Sequence, residues 1–362
     1  MAIRRIGILT GGGDCPGLNA VLRAVTKTAI YELGMEVVGI EDGFLGLIED
    51  RMRRLLPEDV SNILTLGGTI LGTSNKANPT SHPVEVDGQL VKQDVTDQCL
   101  RHLAHRGIEA LVVIGGDGTM TGAANFVARG VPCIGVPKTI DNDLEGTDVT
   151  FGFATARDIA TEALDRVHTT AASHHRAMIV EVMGRNAGWI ALEAGIASGS
   201  DIILLPEIPY DIDALCQTVE RRGQKGKRYT IVCASEGARP RGGQQVVDRI
   251  AVDSPDPVRL GGIGRVVGAA IEERTGIETR TTVLGHVQRG GTPSPEDRVL
   301  ATRFGHAAGR LLADGRVNRL VVMRGRQVTD IDILEAAGRQ RLVPADHALV
   351  QAGRAVGTSF AN

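Results

Sequence analysis

Short apolar runs alternate along the chain with amphipathic stretches, and this pattern predicts a sheet that is buried on both faces. Six β-branched or aliphatic runs end in glycine or polar residues: RRIGILTGGGD, EALVVIGGDGT, VPCIGVPKTIDND, AMIVEVMGRNAG, DIILLPE and YTIVCASEG. Continuous runs of this length are typical of strands in parallel sheets, whose two faces are both covered by helices.

Helical periodicity fills the intervals between these runs. After the first run, apolar residues recur at i, i+3, i+4, i+7 and i+11, namely Leu18, Val21, Leu22, Val25 and Ala29. The pattern fades before Gly34, which is a candidate C-cap. The stretch DIATEALDRVHTTAA has the same periodicity at Ile159, Ala163, Leu164 and Val167. Alternating strands and helices predict a doubly wound α/β fold with right-handed crossovers.

The length of the chain favours either two domains or one large α/β body, because 362 residues exceed the size at which a single core usually stops growing. Two stretches rich in Pro, Gly and Asp are predicted to be loops or excursions: NKANPTSHPVEVDGQ and ARPRGGQQVVDRIAVDSPDPVRLGG. Neither has the composition of a flexible tether, so composition alone does not place a domain boundary.

Charge and cysteine usage exclude several classes of function. Forty basic and forty-three acidic side chains give a net charge of −3, which argues against a protein that binds nucleic acid or membranes through an overall basic field. The five cysteines are scattered without a C-x-x-C spacing, so we expect neither a disulfide framework nor a zinc cluster. No apolar run approaches the roughly 20 residues that span a bilayer, and we expect an unexported, cytoplasmic protein.

Two glycine-rich loops follow predicted strands. GGGDCPG, residues 11–17, opens a helix, where backbone N–H groups and the positive helix end can hold phosphate. GGDGT, residues 115–119, repeats this arrangement and adds Asp117, a carboxylate that can bind a Mg²⁺ ion carried by polyphosphate. Alternatively, each loop serves only the geometry of a turn. No G-x-x-x-x-G-K-[ST] motif occurs, so we do not expect P-loop ATPase chemistry.

The segment PKTIDND, residues 137–143, places a cation, a hydroxyl and two carboxylates directly after an apolar run. Because Pro137 disfavours helix before it, we expect an extended loop with Thr139, Asp141 and Asp143 on one side. One aspartate can then take a proton from a substrate hydroxyl while the other orients a metal or the loop. The alternative is an Asx-rich turn held by its own hydrogen bonds.

Arginines and histidines gather in three segments, SHHR, EVMGR and ETRTTVLGHVQRGG. Their candidate binding residues are Arg176, Arg185, Arg280, His286 and Arg289. Several converging guanidinium groups would recognise a sugar phosphate, although any single one is better explained as a solvated surface arginine. The histidines lack a second ligand at metal-site spacing, so a zinc site is not indicated.

Together these segments resemble the phosphofructokinase family over almost the whole chain. The similar blocks occur in order: TGGGDCPGLNAVLRAV, DGFLGLIEDR, GGTILGTS, IGGDGT, PKTIDND, SHHRAMIVEVMGR, ASEG and ETRTTVLGHVQRGGTP. The C-terminal stretch RLVPADHALVQAGRAVGTSF is similar to the longer-tailed bacterial branch. The resemblance implies two doubly wound parallel-sheet (Rossmann-like) domains with the active site between them. One comprises residues 1–152 plus about 288–338, and the other 153–287 plus about 339–362.

The resemblance also implies Mg²⁺-dependent transfer of a phosphoryl group from ATP to the 1-hydroxyl of fructose 6-phosphate, giving fructose 1,6-bisphosphate. Asp141 matches the general base, Thr139 and Arg185 stand beside the transferring group, and Asp117 and Asp143 match metal-associated carboxylates. The matching donor-binding residues are Gly13, Asn75, Lys76, Gly118, Thr119 and Lys138. The matching acceptor-binding residues are Met183, Gly184, Glu236, His286 and Arg289, with Arg176 and Arg280 supplied by a neighbouring subunit. A shared site implies a homo-oligomer, with a tetramer built from dimers expected.

Two positions bear on the phosphoryl donor, and they disagree. Gly118 resembles ATP-using members, because pyrophosphate-using members carry an aspartate there that would repel a nucleotide. Lys138 resembles pyrophosphate-using members. Since excluding a nucleotide requires a repulsive element that this sequence lacks, we predict ATP, with pyrophosphate as the alternative. Asn75 and Lys76 depart from the arginine and the aromatic residue that are common in this loop, which places its phosphate and adenine contacts in question.

The effector site of allosteric members is matched only in part. Basic residues stand at Arg23, Lys27, Lys227 and Arg228, and Asp201 replaces a glutamate after Gly199, but His168 replaces an arginine. Regulation by ADP or phosphoenolpyruvate is therefore only a hypothesis. NAD kinases and lipid kinases also carry GGDGT but lack the PKTIDND, MGR and GHVQRGG blocks. A catalytically silent sugar-phosphate or nucleotide sensor is the remaining alternative.

Overall fold

The computed structural model describes residues 3–250 and 257–362. The strands in this part of the chain are β1 (Arg5–Thr10), β2 (Glu36–Ile40), β3 (Met52–Leu55), β4 (His82–Val86), β5 (Gln89–Gln93), β6 (Ala110–Gly115), β7 (Cys133–Pro137), β8 (Ala177–Val182), β9 (Ile202–Leu204), β10 (Thr230–Ser235), β11 (Val247–Ile250), β12 (Val258–Leu260), β13 (Thr279–Val283), β14 (Arg319–Arg324) and β15 (Gln327–Asp332).

The helices are α1 (Leu18–Lys27), α2 (Phe44–Glu49), α3 (Thr96–His105), α4 (Asp117–Ala128), α5 (Phe153–His174), α6 (Trp189–Ala197), α7 (Ile212–Gln224), α8 (Ile263–Thr275), α9 (Pro295–Ala313), α10 (Ile333–Ala336) and α11 (Ala348–Ala355). A π-helical turn at Thr28–Glu32 extends α1, and 3₁₀ turns occur at Pro79–Ser81 and Gly285–Arg289.

Two sheets organise the molecule. Seven strands form the larger sheet in the order β15-β14-β7-β6-β1-β2-β3. Its inner pairs from β14 to β2 are parallel, whereas β15 and β3 pair antiparallel at the two edges. Four strands form a second, wholly parallel sheet in the order β13-β8-β10-β9. The predicted α/β architecture with parallel sheets is confirmed.

All six apolar runs form strands of these two sheets, namely β1, β6, β7, β8, β9 and β10. The first periodic stretch forms α1 and its π-helical extension, which ends just before Gly34 with a φ of 65°. The second periodic stretch lies inside α5. The hydrophobic pattern therefore located six parallel strands and two of the helices, whereas the parallel strands β2, β13 and β14 were not predicted.

The two stretches rich in Pro, Gly and Asp are excursions that each contribute to an antiparallel hairpin. β4 pairs with β5, whose residues are all exposed, and β11 pairs with β12. These hairpins have no apolar run because neither is covered on both faces. Residues 251–256 of the second stretch lie outside the described residues.

One apolar core joins the two sheets. It contains Ile8 and Val112 of the larger sheet and Val180 and Cys233 of the smaller sheet. Helix α9 packs on β7 and β14, α5 packs on β8 and β10, and α5 also contacts α9. Because interiors are close-packed, strands anchored in one core hold the loops at their ends in fixed positions.

Within residues 3–250 and 257–362, no helix combines the length and the apolar composition needed to cross a bilayer.

Candidate active site

Loops that follow β1, β6 and β7 line one cavity of about 530 Å³. These parallel neighbours all end at the same edge of the larger sheet, where ligands collect in α/β folds. The cavity is lined by ten residues that the sequence predicted, namely Gly13, Asn75, Asp117, Gly118, Thr119, Lys138, Thr139, Asp141, Asp143 and Arg289. The structure therefore brings loops that are distant along the chain to one place.

Thr119 packs between the two glycine loops. A Cβ atom on Gly11 would lie 2.7 Å from the Thr119 methyl carbon, and one on Gly115 would lie 2.3 Å from the Thr119 Cβ. Gly12 has a φ of 77°, and its carbonyl accepts a hydrogen bond of 2.6 Å from the hydroxyl of Thr73. Glycine is required at positions 11 and 115 because the two loops approach each other closely there, and at position 12 because its backbone is left-handed.

Gly118 faces open space at the start of α4. A Cβ atom placed there would meet no protein atom within 4 Å. The protein itself would therefore accommodate a side chain at this position. Since Gly118 lines the cavity, that side chain would occupy space available to a bound ligand.

The backbone of residues 139–143 forms a turn, and the predicted extended loop is wrong. The chain turns at Ile140 and Asp141, and Asn142 has a left-handed φ of 51°. The side-chain oxygen of Asn142 holds this conformation by accepting a hydrogen bond of 3.0 Å from the N–H of Thr150. The prediction failed because proline restricts the residue before it, whereas Asn downstream tolerates the left-handed region.

Thr139 nevertheless connects the two aspartates. Its hydroxyl donates to Asp143 Oδ1 at 3.2 Å and accepts from the N–H of Asp141 at 3.1 Å. Oδ1 of Asp141 is buried without a hydrogen-bond partner among the described residues. Leaving a buried acceptor unpaired costs free energy, so such an atom marks a place for a ligand donor. A substrate hydroxyl is one group that would satisfy it.

Burial raises the pKa of both aspartates. For Asp141, the positive charges of Arg289 and Lys138 oppose this effect and the charge of Glu236 adds to it. For Asp143, the charge of Asp141 raises the pKa further. A carboxylate whose pKa is raised toward neutrality is a stronger base, and this pair is suited to accepting a proton.

Lys138 is buried beneath the first glycine loop. Its ammonium group donates a hydrogen bond to the carbonyl oxygen of Gly13, and burial lowers its pKa. The side chain therefore supports the loop from below and adds positive charge to the wall of the cavity.

The turn Gly285–Arg289 brings Arg289 against the same loop. Its guanidinium donates to the carbonyl of Asp14 at 2.8 Å, and a Cβ atom on Gly13 would lie 2.9 Å from it. A second cavity of about 250 Å³ shares part of its wall with the first and is lined in part by His286 and Arg289. Two predicted phosphate-binding side chains therefore lie together, beside the donor loops.

The loop after β8 carries the predicted acceptor residues Met183 and Gly184. The N–H of Met183 donates to Gln288 Oε1 at 2.8 Å. Gly184 has a φ of 135°, and its carbonyl accepts a hydrogen bond of 2.5 Å from the Ser235 hydroxyl. Glu236 follows Ser235 at the end of β10, where burial raises its pKa to about 6. These acceptor residues occupy the carboxyl ends of adjacent strands.

The positive charge of Arg185 acts on two carboxylates of the site, Asp141 after β7 and Glu236 after β10. Its positive charge lowers the pKa values of Asp141 and Glu236 against the larger effect of burial. Its guanidinium also donates a hydrogen bond to the carbonyl of Val258. The side chain therefore stands between the acceptor loop and the candidate base.

Arg176 and Arg280 do not join the rest of the site within one chain. Arg176 directly precedes β8 and Arg280 is the second residue of β13, so both lie at the amino end of strands whose carboxyl ends carry the site. Six residues of strand separate Arg176 from Met183, which corresponds to about 20 Å. Both guanidinium groups pair with Glu278, at 2.6 Å for Arg176.

Phe44 is a cavity residue that the sequence analysis did not identify. It begins α2, lines the larger cavity and stacks on Phe126 with ring centroids 5.8 Å apart. The available signal was its place in the DGFLG block, just after the end of β2. Lys76, by contrast, is exposed and lines neither of the two cavities.

A C-terminal segment, residues 338–343, also reaches the site, and the sequence analysis missed it. The N–H of Gly338 donates to Asp117 Oδ1 at 2.7 Å, and Gln340 Nε2 donates to Asp143 Oδ2 at 3.0 Å. The apolar pattern of the sequence did not predict these contacts, because they depend on where the C-terminal segment passes in the three-dimensional fold.

The carboxylates of Asp117 and Asp143 line the same cavity. In the described ranges, 3–250 and 257–362, no group of three or more His, Cys, Asp or Glu side chains is arranged to hold a metal ion. Mg²⁺ keeps several waters and needs only one or two carboxylates when it is bound together with polyphosphate. The two carboxylates fit an ion that arrives with a phosphorylated donor.

The partly matched effector residues make contacts within the chain. Asp201 pairs with Arg222 at 2.7 Å and accepts a hydrogen bond of 2.9 Å from the N–H of Ile231. The ring of His168 lies edge-on to Tyr229 with centroids 6.1 Å apart. Asp201 is therefore engaged by contacts within the chain, and regulation stays a hypothesis.

Comparison with known proteins identifies similar chains. A family model described as Phosphofructokinase matches residues 5–312. The protein named ATP-dependent 6-phosphofructokinase 2 of Clostridium perfringens is 52% identical over 362 residues, covering 99% of both chains.

Two solved structures have similar folds. The phosphofructokinase of Pichia pastoris in the T-state is 34% identical with a TM-score of 0.78, and the match covers 93% of this chain. This chain spans only 35% of the Pichia chain. The pyrophosphate-dependent phosphofructokinase of Marinobacter aquaeolei has a TM-score of 0.79 at 20% identity, covering 99% of this chain and 88% of that one. The fold is therefore shared with a protein named for pyrophosphate, whereas the Clostridium relative is named for ATP, so the fold alone does not identify the donor.

Proposed function

The chain belongs to the phosphofructokinase family, and on this basis we propose that it catalyses Mg²⁺-dependent transfer of the γ-phosphoryl group of ATP to the 1-hydroxyl of fructose 6-phosphate. The product is fructose 1,6-bisphosphate. The observation that carries the proposal is the buried Oδ1 of Asp141, which has no hydrogen-bond partner among the described residues and belongs to a residue that lines the donor cavity. The positive charge of Arg185 in the acceptor loop also acts on this carboxylate.

In this proposal Asp141 accepts the proton of the substrate hydroxyl as the oxygen attacks the phosphoryl group. Thr139 holds the backbone of Asp141 through its hydroxyl and orients Asp143 through the same atom. Phosphoryl transfer depends on positioning and charge neutralisation more than on covalent catalysis. Arg185 would supply positive charge from the acceptor side, and the glycine loops would supply backbone N–H groups from the donor side.

Mg²⁺, when bound with the donor, neutralises charge on the polyphosphate oxygens. Asp117 and Asp143 are the residues that would hold it. They are supported by hydrogen bonds from Gly338 and Gln340, so each carboxylate has a defined orientation before the donor binds.

ATP is favoured as donor by the open space at Gly118 and by the extent of the cavity beyond it. A nucleotide requires room past its phosphates, and the cavity continues along Phe44, Gly122 and Asn125. The Clostridium relative, which covers almost the whole chain, is also named for ATP. Lys138, the feature that favours pyrophosphate, uses one of its three N–H donors to bind the carbonyl of Gly13.

The acceptor site is proposed to be completed by a second subunit. Arg176 and Arg280 lie at the far end of the smaller sheet in their own chain, which supports a role in the site of a neighbour. A homotetramer built from dimers is accordingly the proposed assembly.

The cytoplasm is the proposed location of the protein. The division into residues 1–152 plus about 288–338 and 153–287 plus about 339–362 is likewise a proposal. The sheet that each segment joins supports it for residues 1–338, and the bridge between Ile202 and Ser359 supports it for the last segment.

Initial rates with fructose 6-phosphate and either MgATP or magnesium pyrophosphate test the proposal. We expect turnover with ATP and little with pyrophosphate. A clear preference for pyrophosphate would reverse the choice of donor. Absence of turnover with both donors would favour a silent sensor, and phosphorylation of NAD or a lipid would indicate the other kinase classes.

A further inference from the structure

The C-terminal segment of residues 338–343 contacts both sides of the proposed active site. On the donor side, Gly338 bonds to Asp117, and the N–H of Arg341 donates to the carbonyl of Asp143 at 2.7 Å. On the acceptor side, the N–H of Val343 donates to Glu207 at 2.8 Å. The segment therefore runs from the loops of the larger sheet to those of the smaller sheet.

Gln340 is the side chain of this segment that touches both loops. Its Nε2 donates to Asp143 Oδ2 at 3.0 Å, and its Oε1 accepts from Asn186 Nδ2 at 3.0 Å. Asn186 directly follows Arg185 in the acceptor loop. Gln340 also lines the donor cavity, so this bridge stands at the edge of the space where the reaction would occur.

The chemistry of the bridge requires an amide. Only a donor can face the carboxylate of Asp143, and an acceptor must face the amide N–H of Asn186. Glutamate has the same shape but would place a second negative charge beside Asp143. Methionine has similar length and would remove both hydrogen bonds. Methionine therefore tests the loss of the hydrogen bonds at similar side-chain length, and glutamate tests the addition of a negative charge at the same side-chain shape.

Contacts of Arg341 hold the backbone next to Gln340 in place. The carbonyl of Arg341 accepts a hydrogen bond of 2.9 Å from the indole N–H of Trp189. The guanidinium of Arg341 lies over the ring of Trp189 at 4.3 Å from its centroid and donates to the carbonyl of Asn142 at 2.9 Å. Trp189 is the only tryptophan in the sequence, so its fluorescence reports on this segment.

We propose that Gln340 is a positioning residue that locks the carboxylate of Asp143 and the loop of Arg185 in one arrangement, so that donor and acceptor are aligned for transfer. Gln340 acts through these two residues and does not itself carry out chemistry. The kinetic consequence rests on the proposed phosphofructokinase activity, whereas the structural bridge does not.

Gln340→Met and Gln340→Glu are compared with Gln351→Met in kinetic measurements. Gln351 is an exposed glutamine of α11 whose side-chain amide donates to the carbonyl of Asp346 at 2.9 Å, and it lines neither of the two cavities of the site. We expect Gln340→Met to lower kcat/KM for fructose 6-phosphate by about tenfold, since two hydrogen bonds are lost. Gln340→Glu should lower it further, and Gln351→Met should leave it within about twofold.

A double-mutant cycle tests the bridge itself. Asn186→Ala removes the acceptor-side partner, so Gln340→Met should cost much less in that background than in the wild type. Full additivity of the two losses would show that Gln340 acts without Asn186 and would overturn the proposal. Wild-type kinetics in Gln340→Met would overturn it as well.

Acrylamide quenching of Trp189 provides a readout that does not depend on activity. Loss of the bridge should loosen the loop that carries Arg185 and Asn186 and leads into Trp189, so quenching should increase in Gln340→Met but not in Gln351→Met. Unchanged quenching would contradict the bridge. If the wild type phosphorylates no sugar with either donor, the proposed function fails, yet the quenching comparison still decides whether Gln340 holds this loop in place.

Discussion

The donor side and the acceptor side of the site differ in how much of each a single chain provides. On the donor side, two glycine loops, Lys138 and the aspartates converge on one cavity of about 530 Å³. On the acceptor side, Met183, Gly184 and Glu236 are in place, but Arg176 and Arg280 remain at the opposite end of their strands. One chain therefore provides the proposed donor pocket and only part of the proposed acceptor pocket.

This difference follows from the topology of the two sheets. Adjacent parallel strands bring their carboxyl ends together, so residues placed there meet within one chain. Residues at the amino ends of the same strands cannot reach that edge, because a strand of six residues separates the ends by about 20 Å. An arginine at the amino end can serve such a site only in another copy of the chain.

The largest expected effect comes from Asp141→Asn, which tests the proposed base between the donor side and the acceptor side. Removing the base should lower kcat by roughly 10²-fold or more while ATP binding is retained. Asp165→Asn, an exposed position on α5, is the matched control and should have wild-type kinetics. Full activity of Asp141→Asn would show that the two sides do not meet at a catalytic base.

Gly118→Asp tests the donor side alone. A carboxylate in the open space beside the donor phosphates should lower kcat/KM for ATP about thirtyfold, as expected for a like-charge contact of about 2 kcal/mol. The KM for fructose 6-phosphate should be unchanged. Gly118→Ala adds only a Cβ atom that meets no protein atom within 4 Å, so it should fold normally and lose less activity. Undiminished use of ATP by Gly118→Asp would place the nucleotide elsewhere.

Arg280→Ala tests the acceptor side alone. We expect the KM for fructose 6-phosphate to rise about tenfold, as for loss of a charge-assisted hydrogen bond, with the KM for ATP unchanged. The variant should also be rescued in part when its subunits are mixed and reassembled with Asp141→Asn subunits. Some sites in the mixture would then combine an intact Asp141 with an intact Arg280 from the neighbour. Failure of rescue in confirmed mixed oligomers would contradict a shared site.

The smallest expected effect concerns stability against pH. Burial raises the pKa values of Asp117, Asp141, Asp143 and Glu236 above their ordinary values, so the folded state binds protons more tightly than the unfolded state. Their contribution to stability is fully present below the ordinary carboxyl range and is lost as pH rises through the raised values. Lowering pH from about 8 to about 6 should therefore raise Tm by about 1–3 °C. The slope should be shallower in Asp141→Asn, and an equal slope would contradict the raised pKa.

The hydrophobic pattern predicted the elements that carry the donor side. β1, β6 and β7 are continuous apolar runs because helices cover both faces of the sheet, and each run ends in the polar residues of the site. The edge strands β3 and β15 and the two hairpins were not predicted, because partial exposure removes the continuous apolar signal. The parallel strands β2, β13 and β14 were not predicted either. The turn at Asn142 depends on a hydrogen bond from the N–H of Thr150, a residue that is not a sequence neighbour. Turn propensities consider only neighbouring residues and therefore could not predict it.

The parts of the site that sequence reasoning missed depend on long-range packing. Gln340 reaches Asp143 from 197 residues along the chain, and the segment around it has no motif that indicates this contact. Phe44 was within a recognised block, yet only the fold shows that it lines the cavity. Residue types and spacing predicted what the strand ends carry, whereas the crossing of the tail was visible only in three dimensions.

Phosphorus NMR of the reaction mixture tests the central claim most directly, because it identifies both the donor and the hydroxyl that is phosphorylated. Wild-type protein with fructose 6-phosphate and MgATP should produce ADP and a second sugar phosphate resonance at the 1-position, and Asp141→Asn should produce neither at a comparable rate. A sugar phosphorylated only when pyrophosphate is supplied, or equal turnover by Asp141→Asn, would contradict the account.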